Sequence, residues 1–133
     1  MKDFGLTILR IVVGLVFVMH AYLSLFRFTP AGTAAYFGNL GLPAPALMAW
    51  IVIVVHGLGG IMLIVGLWTR WAAAANAVIV LGALLKVHFA QGFFLKVMKG
   101  GFVGGFEFVL LLLAASVALI LTGGGALAAT SDR

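Results

Sequence analysis

His20, His56, His88 and Glu107 are the residues of this 133-residue chain whose types could do chemistry in otherwise apolar segments. Neutral imidazole and carboxylate together form a competent ligand set for zinc, copper or iron. The same groups can hydrogen-bond to a quinone headgroup and hand protons to it, because imidazole titrates near neutral pH. Spacing separates the two chemistries. No HxxxH or ExxH pair stands on a single segment, so the metal reading has no motif and no metal is assigned. A quinone headgroup asks instead for polar groups that converge in an apolar, aromatic pocket. Quinone is therefore the cofactor these residues leave open. The chain has no cysteine, which removes disulfides, thiolate metal sites and CxxC redox pairs. Redox chemistry would need a bound cofactor, a metal on His and Glu, or a partner protein.

Each of the four residues also has a plain structural reading. His20 and His88, near segment ends, can bind water or a headgroup. Glu107 can pair with Lys86, Lys96 or Lys99. His56 can be a neutral core imidazole bonded to a carbonyl or to Asn76.

The segments that carry them are built for lipid. Hydrophobic residues make up 65% of the chain and charged residues 8%, where a soluble domain carries about 25% charged residues. The net charge of +5 does not point to nucleic acid, because the eight basic residues are scattered singly. Arg27, Arg70, Lys96 and Lys99, and Arg10 with them, read as headgroup anchors. Four apolar runs, at about 4–26, 46–68, 71–89 and 106–121, approach or reach the roughly 20 residues a bilayer core requires. The first is too long for a signal peptide and no cleavage motif follows it, so it reads as a retained span. The expected fold is all-α: an integral membrane four-transmembrane-helix bundle with up-down topology. Residues 1–122 form its single domain, and 123–133 form a flexible tail.

The first loop contains all three prolines, Pro30, Pro43 and Pro45. A short interfacial helix is expected at Thr33–Leu40, with Tyr36 and Phe37 as belt aromatics. Gly14, Gly57, Gly59 and Gly60 are expected at helix crossings. Ala114 and Ala118 share a helical face with Glu107 and predict a packing stripe below it. Up-down threading brings His20, His88 and Glu107 to the end away from the termini, with His56 near mid-membrane. His20 lies about 10 Å inside Arg27. Lys2, Arg10, Arg70 and Arg133 outnumber Arg27, Lys96 and Lys99, which puts the termini in the cytoplasm and the protein in a bacterial inner membrane. The segment His88–Glu107 then reads as a lid over a polar pocket.

Five stretches together resemble the DoxX family of small bacterial membrane proteins: LRIVVGLVFVMH at Leu9–His20, AGTAAYFGNLGLPAP at Ala31–Pro45, GGIMLIVGLWTRWAA at Gly59–Ala73, HFAQGFF at His88–Phe94 and GGFEF at Gly104–Phe108. The resemblance implies four membrane helices and an association with redox functions. Family members act as a membrane subunit beside oxidoreductases or, in the related DoxD branch, in thiosulfate:quinone oxidoreduction. The sequence departs from the family at Ala21 and Ser24, where Gly and Lys are usual, and at His56, where Glu is usual. These changes leave the membrane fold intact and alter the polar cluster. Three readings follow: a membrane subunit of a redox or respiratory complex that contributes to a quinone site, a non-catalytic accessory subunit of such a complex, and a stand-alone quinone-linked oxidoreductase. The partners expected are the bilayer and other proteins of a membrane complex.

Overall fold

A backbone in lipid must satisfy its N–H and C=O groups within its own segment, and the apolar runs do so as helices. The computed structural model describes residues 2–94, 96–98, 101–103 and 105–130; for Lys2, 96–98 and 101–103 it describes the backbone only. Its helices are α1 (Lys2–Tyr22), α2 (Thr29–Asn39), α3 (Pro45–Val65), α4 (Thr69–Ala83) and α5 (Glu107–Thr122). Alpha geometry widens into π turns at Leu23–Arg27, after α1, and at Leu84–His88, after α4. A 3₁₀ turn at Phe89–Gln91 completes the latter. With these extensions, Asp3–Arg27, Pro45–Val65 and Thr69–Gln91 are long and apolar enough to cross a membrane. Helix α5 is equally apolar but has 16 residues, about 24 Å of rise against a core of about 30 Å.

Two expected elements differ in extent or kind. The first-loop helix begins at Thr29, four residues earlier than expected, because Pro30 fits its first turn and lacks the N–H that would go unpaired there. Inside the expected lid, Lys96–Met98 (β1) pairs antiparallel with Gly101–Val103 (β2) in a small hairpin. Among the described residues, the regular secondary structure is helical apart from this ribbon. Lys99, expected as a headgroup anchor, and the side chain of Lys96 lie outside the described residues.

Polarity is arranged inside-out relative to a water-soluble protein. Trp71, Val78, Leu111 and Leu121 are about 70% exposed or more, while Arg10, Asn76, Thr69 and Ser116 are almost fully buried. Lipid is a good solvent for the first group and a poor one for the second. Thr7, Arg10, Val13, Phe17 and Ala21 form the buried stripe of α1, and Ala49, Ile53, His56, Gly60 and Leu63 that of α3. The two stripes cross at Gly14 and Gly60. A Cβ on Gly14 would lie 2.6 Å from the Gly60 carbonyl, and one on Gly60 would lie 2.7 Å from that of Gly14. Only glycine permits so close an approach. Helices α4 and α5 form the second intimate pair, with Ala72, Ala73, Val109 and Leu119 in the shared core.

The stripe expected on α5 is corrected. Glu107 is half-buried, but Leu111 is 69% exposed and Ala114 is exposed as well. The inward face carries Val109, Ser116 and Leu119 instead. A helix apolar on all sides has no periodicity to reveal its buried face.

The tail and two arginines also depart from expectation. Residues 123–130 do not fray. They fold back along α1 and the end of α3, through bonds from Ala126 N to Asp3 O, Ala129 N to Val65 O and Thr130 N to Gly66 O. Arg10 is no headgroup anchor. It is 1% exposed and donates to the carbonyls of Leu63, Ile64, Gly124 and Ala126. Arg70 donates to Ile120 and Leu121, the last carbonyls of α5. The final carbonyls of a helix lack intrahelical partners and carry its negative dipole end, and a guanidinium answers both needs. Arg27 is exposed at the end of its π turn, where a headgroup can reach it.

Candidate functional site

His56 sits on the buried face of α3 at 8% exposure. Its Nδ1 lies 2.7 Å from Oδ1 of Asn76 on α4. Asn76 is itself tied back by Nδ2 to the carbonyl of Ala72, 2.9 Å away and one turn earlier. Gly59 leaves the room this amide needs, since a Cβ there would overlap Nδ2 of Asn76. Phe17 of α1 stacks on the imidazole from the other side, with centroids 5.0 Å apart and planes 16° from parallel. Gly57 faces Ala21 in ordinary contact at 3.4 Å.

His20 stands one turn beyond Phe17 on α1 and is exposed. Its Nδ1 donates to the Val16 carbonyl at 2.9 Å, an acceptor-only atom, so the proton resides on Nδ1. Its ring stacks on Phe108 at 6.2 Å and 13°. A single α1 stripe therefore carries both the ring that covers His56 and the imidazole that meets α5.

Glu107 opens α5 beside Phe108, where a carboxylate suits the positive end of the helix dipole. The N–H groups of Phe106 and Glu107 are closed by the carbonyls of Gly92 and Phe93, both at 2.9 Å. Phe106 stacks on Phe89 at 5.6 Å and meets Phe93 edge-on at 5.2 Å. Since Phe89 follows His88, this aromatic contact holds the end of α4 against the start of α5. His88 is half-buried, and its Nδ1 is enclosed without a hydrogen-bond partner. Lys86, one of the partners considered for Glu107, is exposed and forms no ion pair with it among the described residues.

The four candidates thus fall into two linked pairs. His20 and His56 are joined through the Phe17–His20 turn of α1. His88 and Glu107 are joined through Phe89 and Phe106. Among the described residues, no group of three His, Asp or Glu side chains lies close enough to hold a metal ion. Both π turns border this end: one begins three residues after His20, and the other ends on His88. Such widened turns recur at functional sites. An apolar groove of about 250 Å³ runs along the outer flank of the α1–α3 crossing, lined by Val18, Ala21, Tyr22, Ile53, Gly57 and Ile61. On α1, helical spacing puts its lining residues Val18 and Tyr22 on the flank opposite His20.

Sequence reasoning missed the tight knot at the other end, where Arg10, Thr7 and the tail meet. The single hydroxyl proton of Thr7 lies within reach of both the Asp3 and the Ala126 carbonyls. The available signal was an arginine two turns inside an apolar helix, too deep for the headgroups.

A family model described as DoxX matches residues 5–89. The chain belongs to the DoxX family. The matched region includes His20, His56 and His88, while Glu107 and α5 follow it. A curated relative from Bacillus subtilis (strain 168), named "Putative oxidoreductase CatD", is 34% identical over 121 residues, covering 91% of this chain and 81% of the relative. No solved structure matches. Family membership and the apolar, outward-facing helices together make this a membrane protein.

Proposed function

We propose that this DoxX protein is an integral subunit of a redox or respiratory complex in a bacterial inner membrane, where His20, His56, His88 and Glu107 border a quinone headgroup site. The observation that carries this reading is the alternation of imidazoles and aromatic rings where α1 meets α3 and, one turn on, α5. Phe17 covers His56, and one turn on, His20 covers Phe108. A quinone ring needs flat apolar surfaces to lie on and hydrogen-bonding groups at its oxygens, and this contact supplies both chemistries inside an apolar bundle. Helices α1, α3, α4 and α5 cross in up-down order in this reading, with α5 as the short fourth span and the termini in the cytoplasm. Partner proteins supply the electrons, since the chain contains no cysteine and offers no fingerprint for a further cofactor.

The name of the Bacillus relative favours a second reading, an oxidoreductase in its own right. One experiment separates the two, and separates both from a purely accessory role. Purify the protein from native membranes with and without co-purifying partners, and measure quinone reduction for the wild type, His56→Gln and Glu107→Gln. Activity confined to the complex and reduced at least tenfold by the substitutions supports the subunit reading. Activity in the solitary protein supports the enzyme. Intact assembly and intact activity in both variants would exclude the polar cluster from function.

A further inference from the structure

We propose that Asn76, seated over Gly59, is a positioning residue that fixes His56 with its proton on Nδ1 and leaves Nε2 as a hydrogen-bond acceptor, so that the site prefers the hydroxyl-bearing, reduced form of a quinone. The headgroup part of this proposal rests on the quinone reading above; the positioning part does not.

The assignment follows from atoms that can only accept. The carbonyl of Ala72 has no proton to give, so the end of the Asn76 amide that lies 2.9 Å from it is Nδ2. The other end, Oδ1, then faces His56. Oδ1 also accepts only, so the ring nitrogen 2.7 Å away is an N–H. A neutral imidazole has one N–H, which leaves a lone pair on Nε2. The imidazole is neutral because it is buried in the middle of an apolar span with no carboxylate bonded to it among the described residues. Nε2 makes no hydrogen bond there, and it is not among the fully enclosed orphan atoms.

The support for this arrangement is rigid. Asn76 is 0% exposed, Phe17 sets the ring plane, and Gly59 makes the space the amide occupies. A hydroquinone O–H can donate to Nε2. The carbonyl of the oxidised ring would bring lone pair against lone pair. One neutral hydrogen bond made or lost corresponds to an affinity ratio of about tenfold.

The test uses the full chain in lipid nanodiscs with ring-¹⁵N histidine, with the His56 signals assigned by difference against His56→Gln. The wild type is expected to show a protonated Nδ1 and a bare Nε2. Trimethylhydroquinone under anaerobic conditions should shift the Nε2 resonance at about tenfold lower concentration than trimethylbenzoquinone. Asn76→Leu should scramble the His56 tautomer and abolish the preference, while the His20 signals, held by Val16, stay in place. A wild-type proton on Nε2 overturns the proposal whether or not the variant folds. Equal response to both headgroups overturns the preference for the reduced form. An intact Nδ1–H with no response to either headgroup supports positioning by Asn76 and overturns the quinone reading.

Discussion

Nε of Arg10 donates to the carbonyl of Gly124 across 2.8 Å, tying the first helix to a tail 114 residues away in sequence. The same guanidinium reaches Leu63 and Ile64 at the end of α3. One side chain therefore closes a helix end and clasps the chain's C-terminal region. The clasp needs small residues around it. A Cβ on Gly66 would stand 3.0 Å from Cζ of Arg10 and 2.6 Å from Ala128.

Arg10→Met should be among the most destabilising single changes in the chain. It keeps the apolar stem, removes the guanidinium from four carbonyls and strands those of Ile64 and Gly124, at a cost of about 2–4 kcal/mol. Arg10→Lys should recover only part, because one ammonium cannot span acceptors on α3 and on the tail together. Thermal unfolding in detergent, with proteolysis of the tail as a local readout, checks both. A tail as protected in Arg10→Met as in the wild type would show that the clasp does not depend on the guanidinium.

The α1–α3 crossing gives a second, independent test. Gly14→Ala and Gly60→Ala each push a methyl into the opposing backbone, so the helices must separate at a cost of about 1–3 kcal/mol each. The double substitution should cost clearly less than the sum, because one separation relieves both clashes. Gly82 lies in open space, so Gly82→Ala should be neutral or slightly stabilising in the same unfolding measurement.

What the sequence disclosed and what it hid follow physical lines. Apolar run length and prolines marked the long apolar spans Asp3–Arg27, Pro45–Val65 and Thr69–Gln91 to within a few residues, because lipid dictates span length and Pro45 suits the first turn of a helix. Gly66, after the last turn of α3, ends that helix with Leu67 N bonded to Met62 O and Gly66 N to Leu63 O, a closure that glycine's positive φ permits. The docked tail was hidden, because its bonds run through backbone atoms that any sequence of Gly and Ala possesses. The π turns were hidden too, since Leu23–Arg27 and Leu84–His88 read as ordinary apolar helix. At the candidate site, His56 beside Asn76 was readable as an option. The Phe17 and Phe108 contacts that join the histidines were not, because every face of these helices offers aromatic or aliphatic residues.

Arg70 predicts a local effect rather than a global one. Arg70→Ala removes the donor on Ile120 and Leu121, so the last turn of α5 should open first. The expected loss is about 1 kcal/mol, within the range for a cation at a helix C-terminus. Hydrogen exchange should accelerate at residues 119–123 and stay unchanged at the start of α5, where Gly92 and Phe93 hold the first N–H groups. Uniform acceleration along α5 would assign Arg70 a role beyond its cap.

Gly59→Ala should mimic Asn76→Leu without removing a polar atom. In an ordinary helix, Gly to Ala gains up to about 1 kcal/mol from backbone entropy. Here the added methyl overlaps Nδ2 of Asn76, so the amide must swing away from Ala72 and from His56 together. Two buried hydrogen bonds are lost, at about 1–3 kcal/mol in all after the helix gain is subtracted. The sign is the test: the variant should melt below the wild type while Gly82→Ala does not. The ¹⁵N spectrum of His56 should lose its single Nδ1–H form. If Gly59→Ala melts higher and keeps that tautomer, Asn76 has room to spare, and its hold on His56 is looser than the packing at Gly59 requires.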